Sequence, residues 1–329
     1  MINKVAMIAI VGRANVGKST LTNILTGDKV SIVSPKPQTT RNRIFGVFAH
    51  GDTQMILLDT PGFHKARTRL GEYMVNAVKN SVADVDAVAL MVEPLDSIGA
   101  QEELLIGHIS KYGIPTVLII NKIDTVKVDR ILPIIERYSQ RYSFDEIVPI
   151  SAGTGDGLPQ LLEIFKRYAK DGHQLFPDGM TTDQPEKQVI AEIIREKLLI
   201  CLEREIPHGT AVEITMFSER GAENAGFGAG DFKLNGDGAD IQASENEEYL
   251  DAEHSSAIID IDATIYCEKK SHKGIIIGKN GDMLKRIGQL AREDIEKFMG
   301  ARVFLRTWVK VKEKWRDNRT IIRNLGYRD

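Results

Sequence analysis

Nearly unbroken apolar runs recur along the first half of the chain, and each ends where a short polar segment begins. Lys4 through Val11, Met55–Leu58, Thr116–Ile120 and Glu146–Ile150 read this way, and runs without alternation predict strands of a parallel sheet covered on both faces. Ser19–Thr26 continues as a helix, and another helix from Leu158 to about Lys170 closes this part of the chain. Beyond it the period changes. Val189, Ile190, Ile193, Ile194, Leu198 and Leu202 recur at helical spacing and stop at Pro207. Ala211–Phe217 and Ile258–Tyr266 then read as strands, Asp282–Met299 as a helix and Arg302–Lys310 as a last strand. The turn-rich stretch from Asp171 to Gly179 separates the two blocks. The pattern predicts a doubly wound α/β domain over residues 1–172, a linker over 173–185 and an α+β domain over 186–329.

Between the first strand and the first helix lies Gly12-Arg13-Ala14-Asn15-Val16-Gly17-Lys18-Ser19, followed by Thr20, with the GxxxxGK[ST] spacing of a P-loop. A strand, a glycine loop and a helix N-terminus in that order aim backbone N–H groups and a helix dipole at one anion. Lys18 then reaches the β- and γ-phosphates of a nucleotide, and the Ser19 hydroxyl holds Mg²⁺. Asn121-Lys122-Ile123-Asp124 follows the strand Thr116–Ile120, at the carboxyl end where open α/β sheets bind ligands. Asp124 can accept from guanine N1–H and the 2-amino group, a pattern adenine does not supply. Asn121 ties the base to the P-loop, the Lys122 stem covers the ring, and Ser151-Ala152 offers a backbone N–H to the guanine oxygen. The expected nucleotides are therefore GTP and GDP.

Asp59-Thr60-Pro61-Gly62 ends the strand Met55–Leu58 and supplies a carboxylate near Mg²⁺ and a glycine N–H for the γ-phosphate. Gln38-Thr39-Thr40-Arg41 offers a threonine hydroxyl to the same ion, with Thr40 favoured over Thr39. Both segments are expected to be ordered by the γ-phosphate and released after hydrolysis. These pieces resemble the translation-factor-type GTPases over about residues 1–170. One position departs from the Ras pattern: Phe63 stands where Ras-like proteins carry the glutamine that orients the attacking water. No side-chain general base is identified, so catalysis falls to Lys18, Thr40, Mg²⁺ and backbone N–H groups. In GTPases of similar type an asparagine at the position of Asn15 helps bind K⁺; a structural asparagine in a turn is the alternative.

Composition narrows the setting. With 329 residues, 42% hydrophobic and 27% charged, the chain has the make-up of a soluble two-domain protein. Cys201 and Cys267 give neither metal spacing nor a disulfide framework, which implies a reduced, cytoplasmic setting. No apolar run reaches the ~18 residues of a spanning helix, and the residues before the first strand lack the basic region and cleavable apolar segment expected of a leader. The net charge of −3 conceals a division, because Glu268–Asp329 carries 17 Lys and Arg against 8 Asp and Glu, whereas Glu219–Ser256 carries 2 against 10.

The basic segment contains Lys273-Gly274-Ile275-Ile276-Ile277-Gly278-Lys279-Asn280-Gly281. Gly278–Gly281 has the GxxG form of a KH domain, in which glycines admit a phosphate backbone, Lys279 adds charge and Ile275–Ile277 contribute to an apolar groove for unstacked bases. A plain helix turn explains the tetrapeptide alone; the order α, β, β, α, GxxG, α, β favours RNA binding. Lys310, Lys312, Lys314, Arg316 and Arg319 extend the basic character, with Trp308 and Trp315 among them as packing residues.

Ser34–Arg41, Asp59–Lys65, Glu192–Lys197, His272–Lys279 and Trp308–Lys312 each resemble stretches of the bacterial Era family, in the same order and over nearly the whole chain. The resemblance implies a P-loop GTPase domain with a doubly wound sheet, followed by an α+β, type II KH domain. It also implies binding of the 3′ region of small-subunit (16S) ribosomal RNA through that domain and assistance to 30S subunit assembly. In many members it further implies weak peripheral association with the inner face of the cell membrane. The acidic, glycine-rich stretch at about 219–256 departs from the short connection usual there and reads as a loosely held insertion. It is either a tolerated surface loop or a competitor of RNA for the basic face. The rival to the whole reading is an RNA-binding scaffold with nucleotide-regulated binding and little turnover.

Overall fold

Lys4–Gly12 forms β1, and its residues divide between two cores. Ala6, Ile8 and Ile10 face one side with Leu21 and Phe165, while Ala9 and Val11 face the other with Val78, Leu105 and Tyr138. A strand covered on both faces needs apolar side chains at every position, which is why its sequence does not alternate. The computed structural model describes residues 2–64, 66, 68–220 and 258–327. They fall into two compact units, one made of the chain up to Pro185 together with the segment from Arg316 on, the other of Glu186–Trp315.

After β1 the first unit continues through α1 (Lys18–Thr26), β2 (Ile44–His50), β3 (Thr53–Asp59), α2 (Arg69–Asn80), β4 (Ala87–Val92), α3 (Ala100–Ile109) and β5 (Thr116–Ile120). It proceeds through α4 (Ile131–Arg141), β6 (Glu146–Pro149), α5 (Leu158–Lys166) and a two-residue β7 (Lys170–Asp171). The strand order is β2-β3-β1-β4-β5-β6, parallel except where β2 runs antiparallel to β3. Helices α1 and α5 cover one face; α2, α3 and α4 cover the other. The chain reverses its direction of winding at β1, and the register Ile10↔Asp59 and Gly12↔Met91 sets the carboxyl ends of β3, β1 and β4 side by side. A ligand crevice belongs there.

Two boundaries differ from the expectation. Helix α5 stops at Lys166 instead of about Lys170, because Lys170 and Asp171 pair antiparallel with Val5 and Lys4, and the Gly172 N–H donates to the Asn3 carbonyl at 3.0 Å. Residues 173–185 are also held to the first unit. Gln54 takes the N–H groups of Leu175 and Phe176 and donates to the Phe176 carbonyl, and the Val47 N–H donates to Thr181.

The second unit holds α6 (Glu186–Cys201), β8 (Ala211–Arg220), β9 (Ile258–Cys267), α7 (Lys270–Ile277), α8 (Asp282–Met299) and β10 (Arg302–Val311). Its sheet has the order β10-β9-β8, with β9 antiparallel to β8 and parallel to β10. Ile259, Ile261, Ala263, Ile265 and Cys267 alternate along β9 and pack with Ile190, Ile194, Ile287 and Ile295 from the helices. The α6 stretch Glu192–Lys197 is buried charges and all: Arg195 Nε donates to Glu192 Oε1 at 2.9 Å, and Lys197 pairs with Glu196 at 2.9 Å and with Asp294. The acidic stretch expected at 219–256 lies, from residue 221 on, outside the described residues.

The C-terminal boundary also departs from the expected division. Trp315 is fully buried in the second unit and donates its indole N–H to Gly209 at 2.9 Å. From Arg316 the chain belongs to the first unit and forms α9 (Arg319–Asn324), capped by the Asn318 side chain accepting from Ile321 N–H.

Candidate functional site

The P-loop turn needs its glycines. A Cβ at Gly12 would lie 2.3 Å from the Met91 carbonyl, and one at Gly17, where φ is +105°, would lie 2.2 Å from Asn121 Nδ2. Asn15 takes the left-handed region at φ 66°, which asparagine tolerates better than most residues. The loop wraps Lys18, whose ammonium donates to the carbonyls of Arg13 at 2.8 Å and Gly12 at 3.3 Å. Burial pulls the Lys18 pKa down to about 8, against an opposing pull from Asp59. Beside it opens a cavity of about 410 Å³, lined by Ala14, Asn15, Gly17, Lys18, Ser19 and Thr20 on one side and by residues 32–35 and 38–40 on the other.

Three oxygen donors converge at its floor. Ser19 Oγ donates to Asp59 Oδ2 at 2.6 Å and lies 2.8 Å from Thr40 Oγ1. The other Asp59 oxygen, Oδ1, is buried with no hydrogen-bond partner among the described residues. Burial pushes the Asp59 carboxyl up from its ordinary range, opposed by Lys18 and Ser19. Two hydroxyls and a carboxylate with a spare buried lone pair fit a small hard cation such as Mg²⁺. Thr39 is turned away, bonding the Lys36 carbonyl at 2.7 Å and lying 2.8 Å from Ser34 Oγ.

The rest of the Asp59–Gly62 segment is pinned to the P-loop. Thr60 Oγ1 donates to Ile10 at 2.7 Å, Pro61 is buried, and a Cβ at Gly62 would come 2.6 Å from Ala14 Cα. The Phe63 N–H donates to Gly12 at 3.0 Å and its side chain joins the core with Ala9 and Val11, so it presents nothing to the cavity.

At the other end of the loop, Asn121 Nδ2 donates to the Val16 carbonyl at 2.8 Å while Asn121 Oδ1 accepts the Ala152 N–H at 2.9 Å. Of the Ser151-Ala152 pair expected to offer a backbone N–H to guanine, Ala152 thus ties two loops together and Ser151 donates its N–H to the Asp156 carbonyl at 3.0 Å. Lys122 Nζ donates to the Asn15 carbonyl at 2.7 Å, and Ser151 Oγ donates to Asp124 Oδ1 at 2.6 Å, leaving the exposed carboxylate oriented. Asn15 Nδ2 donates to the Pro35 carbonyl at 2.7 Å.

Sequence reasoning missed Glu93 and Glu102. The Arg13 guanidinium leaves the loop to pair with both at 2.9 Å, and Glu93 also holds Lys122. The signal was available: Glu93 directly follows the wholly apolar run of β4, at the same carboxyl edge as Asp59 and Asn121.

In the second unit, Gly278 (φ 77°), Asn280 (φ 54°) and Gly281 (φ 83°) make a tight turn from α7 into α8. A Cβ at Gly278 would meet Met283 N at 2.8 Å, whereas Gly274 and Gly281 face open space. Lys279 and Asn280 are exposed, and Lys273 is half-buried. The three isoleucines do not act together. Ile276 is fully buried in the core, Ile277 packs against it and Ile275 is exposed, because successive helical positions turn about 100° apart. Ile276 therefore offers no surface to a groove. A cavity of about 80 Å³ lies instead between α8 and the edge strand β10, lined by Lys285, Gly288, Gln289 and Arg292 and by residues 303–308. Phe304, exposed on that strand, carries the guanidinium groups of Arg220 and Arg306 within 5.1 and 5.7 Å of its ring centre.

Comparison with known proteins follows the same division. Residues 7–122 match the family described as 50S ribosome-binding GTPase, and residues 241–316 match the KH domain. The chain is 44% identical over 327 residues to the GTPase Era of Caldanaerobacter subterraneus subsp. tengcongensis, covering 99% of each chain. It is 43% identical over 325 residues to that of Ruminiclostridium cellulolyticum, covering 99% of this chain and 98% of the relative. Among solved structures, an Era in complex with MgGDPNP and nucleotides 1506–1542 of 16S ribosomal RNA superposes with a TM-score of 0.86 at 34% identity, covering 99% of both chains. A single-residue variant of Aquifex aeolicus Era bound to GDP·AlF4⁻ gives 0.85 at 35% identity, over 98% of this chain and 99% of that one.

Proposed function

The chain belongs to the Era family of GTPases, and from that premise we propose that it binds GTP and Mg²⁺ in the P-loop cavity and hydrolyses the nucleotide to GDP and phosphate. Its KH unit binds the 3′ region of 16S ribosomal RNA, and the cycle of the two assists assembly of the small ribosomal subunit. The observation that carries the reading is the convergence of Ser19, Thr40 and Asp59 beside Lys18 at the P-loop cavity, with Asn121 tied to the same loop at Val16.

Within the site the residues divide the work. Lys18 and the N–H groups of residues 14–19 hold the phosphates, and Asp124, steadied by Ser151, selects guanine. Ser19, Thr40 and Asp59 hold Mg²⁺, which neutralises charge on the transferring phosphoryl group. Water is the nucleophile. Phe63 is packed in the core, so it does not take the role of the Ras glutamine, and turnover without RNA is slow. For K⁺ the candidate is Asn15, at the cavity rim with its amide on Pro35. For RNA, the Gly278–Gly281 turn receives a phosphate, and unstacked bases run along α8 and the open edge of β10. Contact with the inner face of the cell membrane belongs to the proposal only as a weak peripheral association; among the described residues no helix is long and apolar enough to cross a membrane.

A phosphate-release assay with GTP, run with and without the RNA and with K⁺ exchanged for Na⁺, tests the reading. Turnover that rises with RNA supports it; no turnover under any condition leaves the scaffold reading in its place.

A further inference from the structure

The segment that leaves β10 ends against the residues that follow Thr40. Asp317 Oδ1 accepts the backbone N–H of Arg69, the first residue of α2, at 3.2 Å, where a carboxylate also suits the helix dipole. After α9, Gly326 turns the chain in the left-handed region at φ 86° and brings Tyr327 back, its N–H donating to Ile322 at 3.2 Å. The Tyr327 ring then meets Tyr73 of α2 edge-on, with centroids 6.2 Å apart, and its hydroxyl accepts from Arg41 Nη1 at 3.2 Å. Arg41 is 1% exposed and Tyr327 5%. Tyr73 in turn donates its hydroxyl to Asn42 Oδ1 at 3.1 Å.

Two consecutive residues, Arg41 and Asn42, are thus held by one edge-on pair of tyrosines, and the residue immediately before them is Thr40, at 2.8 Å from Ser19. A buried guanidinium needs its acceptors, so Arg41 has no inexpensive way to leave this position while Tyr327 is docked. If Arg41 moves, Thr40 moves with it, because adjacent Cα atoms are fixed about 3.8 Å apart.

We propose that Tyr327 is a positioning residue, which by holding Arg41 keeps Thr40 at the Mg²⁺ donors, so that the docked C-terminal segment favours GTP over GDP. The proposal rests on the GTP reading of the site above. Only the γ-phosphate state uses the ordered Thr40, so the docked tail adds to GTP affinity and leaves GDP affinity alone. Reciprocity then requires that GTP strengthens the docking of residues 316–327.

The test uses the full chain and its Tyr327→Ala and Tyr327→Phe variants, with fluorescent GDPNP and GDP titrated in the presence of Mg²⁺. The expected result is a loss of GDPNP affinity of about tenfold for the alanine variant and about threefold for the phenylalanine variant, which keeps the ring and removes only the acceptor, with GDP changed by less than about twofold. In the unmodified chain, GDPNP should also slow tryptic cleavage at the exposed Arg319 and Arg323 relative to GDP. Equal losses for both nucleotides, or no loss for either, overturn the proposal, as do equal cleavage rates. If the unmodified chain binds neither nucleotide, the GTP reading falls and the proposal with it.

Discussion

The glycine turns that lead into α1 and α8 are built alike and used differently. In both, an asparagine takes the left-handed region, Asn15 at φ 66° and Asn280 at φ 54°. In both, a glycine stands where a Cβ would strike a neighbour, Asn121 Nδ2 for Gly17 and Met283 N for Gly278. The first turn is then enclosed. Asn121, Lys122, Thr40, Asp59 and Gly62 reach it from three other segments, and Arg13 is tied outward to Glu93 and Glu102. The second is open, with Lys279 and Asn280 exposed and a narrow groove running on along β10. An enclosed turn suits one small ligand read from all sides; an open one suits a polymer that must enter and leave sideways.

The largest effects should come from breaking the enclosed turn. Lys18→Ala should lower GTP hydrolysis by about 10³-fold, since an electrostatic donor in a water-poor site is lost, while RNA affinity measured without nucleotide stays within about twofold. Asp124→Asn should lower GTP affinity about 100-fold and raise that for xanthosine triphosphate, read by competition binding; the amide N–H then faces the 2-amino group of guanine, donor against donor, and the 2-oxo group of xanthine, its acceptor. Unchanged base preference would remove Asp124 from guanine recognition.

The enclosed site was largely legible because its parts are local and sit at strand ends: the P-loop, Asn121–Asp124 and Asp59–Gly62 each follow an apolar run. The sequence favours Thr40 over Thr39, and the bond that Thr40 makes to Ser19 while Thr39 turns to Lys36 separates the two. The open site was less legible. Three consecutive isoleucines carry no periodic information, so nothing in the sequence says that Ile276 is the one in the core. Buried charges hide in the same way. Glu192, Arg195, Glu196 and Lys197 are charged, yet they are buried by pairing on and between helices α6 and α8. The docking of Tyr327 on Arg41 joins residues far apart in sequence through a tyrosine hydroxyl and a guanidinium, and no local pattern announces it.

Smaller effects should sharpen the contrast from the open side. Gly278→Ala places a side chain in the left-handed region against Met283 and should cost about 1–2 kcal/mol of stability, seen in thermal unfolding, together with a clear loss of RNA affinity and unchanged hydrolysis without RNA. Lys279→Ala should weaken RNA binding evenly across sequences and reduce the salt slope of log K by about 0.7, the value for one phosphate contact on a single strand.

The smallest effect at neutral pH is protonic and belongs to the enclosed turn. With its pKa drawn down to about 8 by burial, Lys18 is mostly neutral at pH 9 in the free protein, whereas phosphate binding requires it charged. GTP binding should therefore take up a proton there, and affinity should fall with pH above about 8 by at most about tenfold per pH unit. The sign for folding is the reverse. Across pH 8 to 10.5 the unfolded chain holds the proton that the folded chain has shed, so this group raises the stability of the free protein as pH rises. Calorimetry in buffers of different ionisation enthalpy measures the uptake directly.

The central claim is that the enclosed site governs what the open one does. Co-sedimentation of the full chain with small ribosomal subunits, compared in GDPNP and in GDP at fixed Mg²⁺ and salt, tests it most directly. Retention should differ between the two nucleotides by about tenfold in affinity, a coupling of ordinary size between two sites. Equal retention in both would contradict the account.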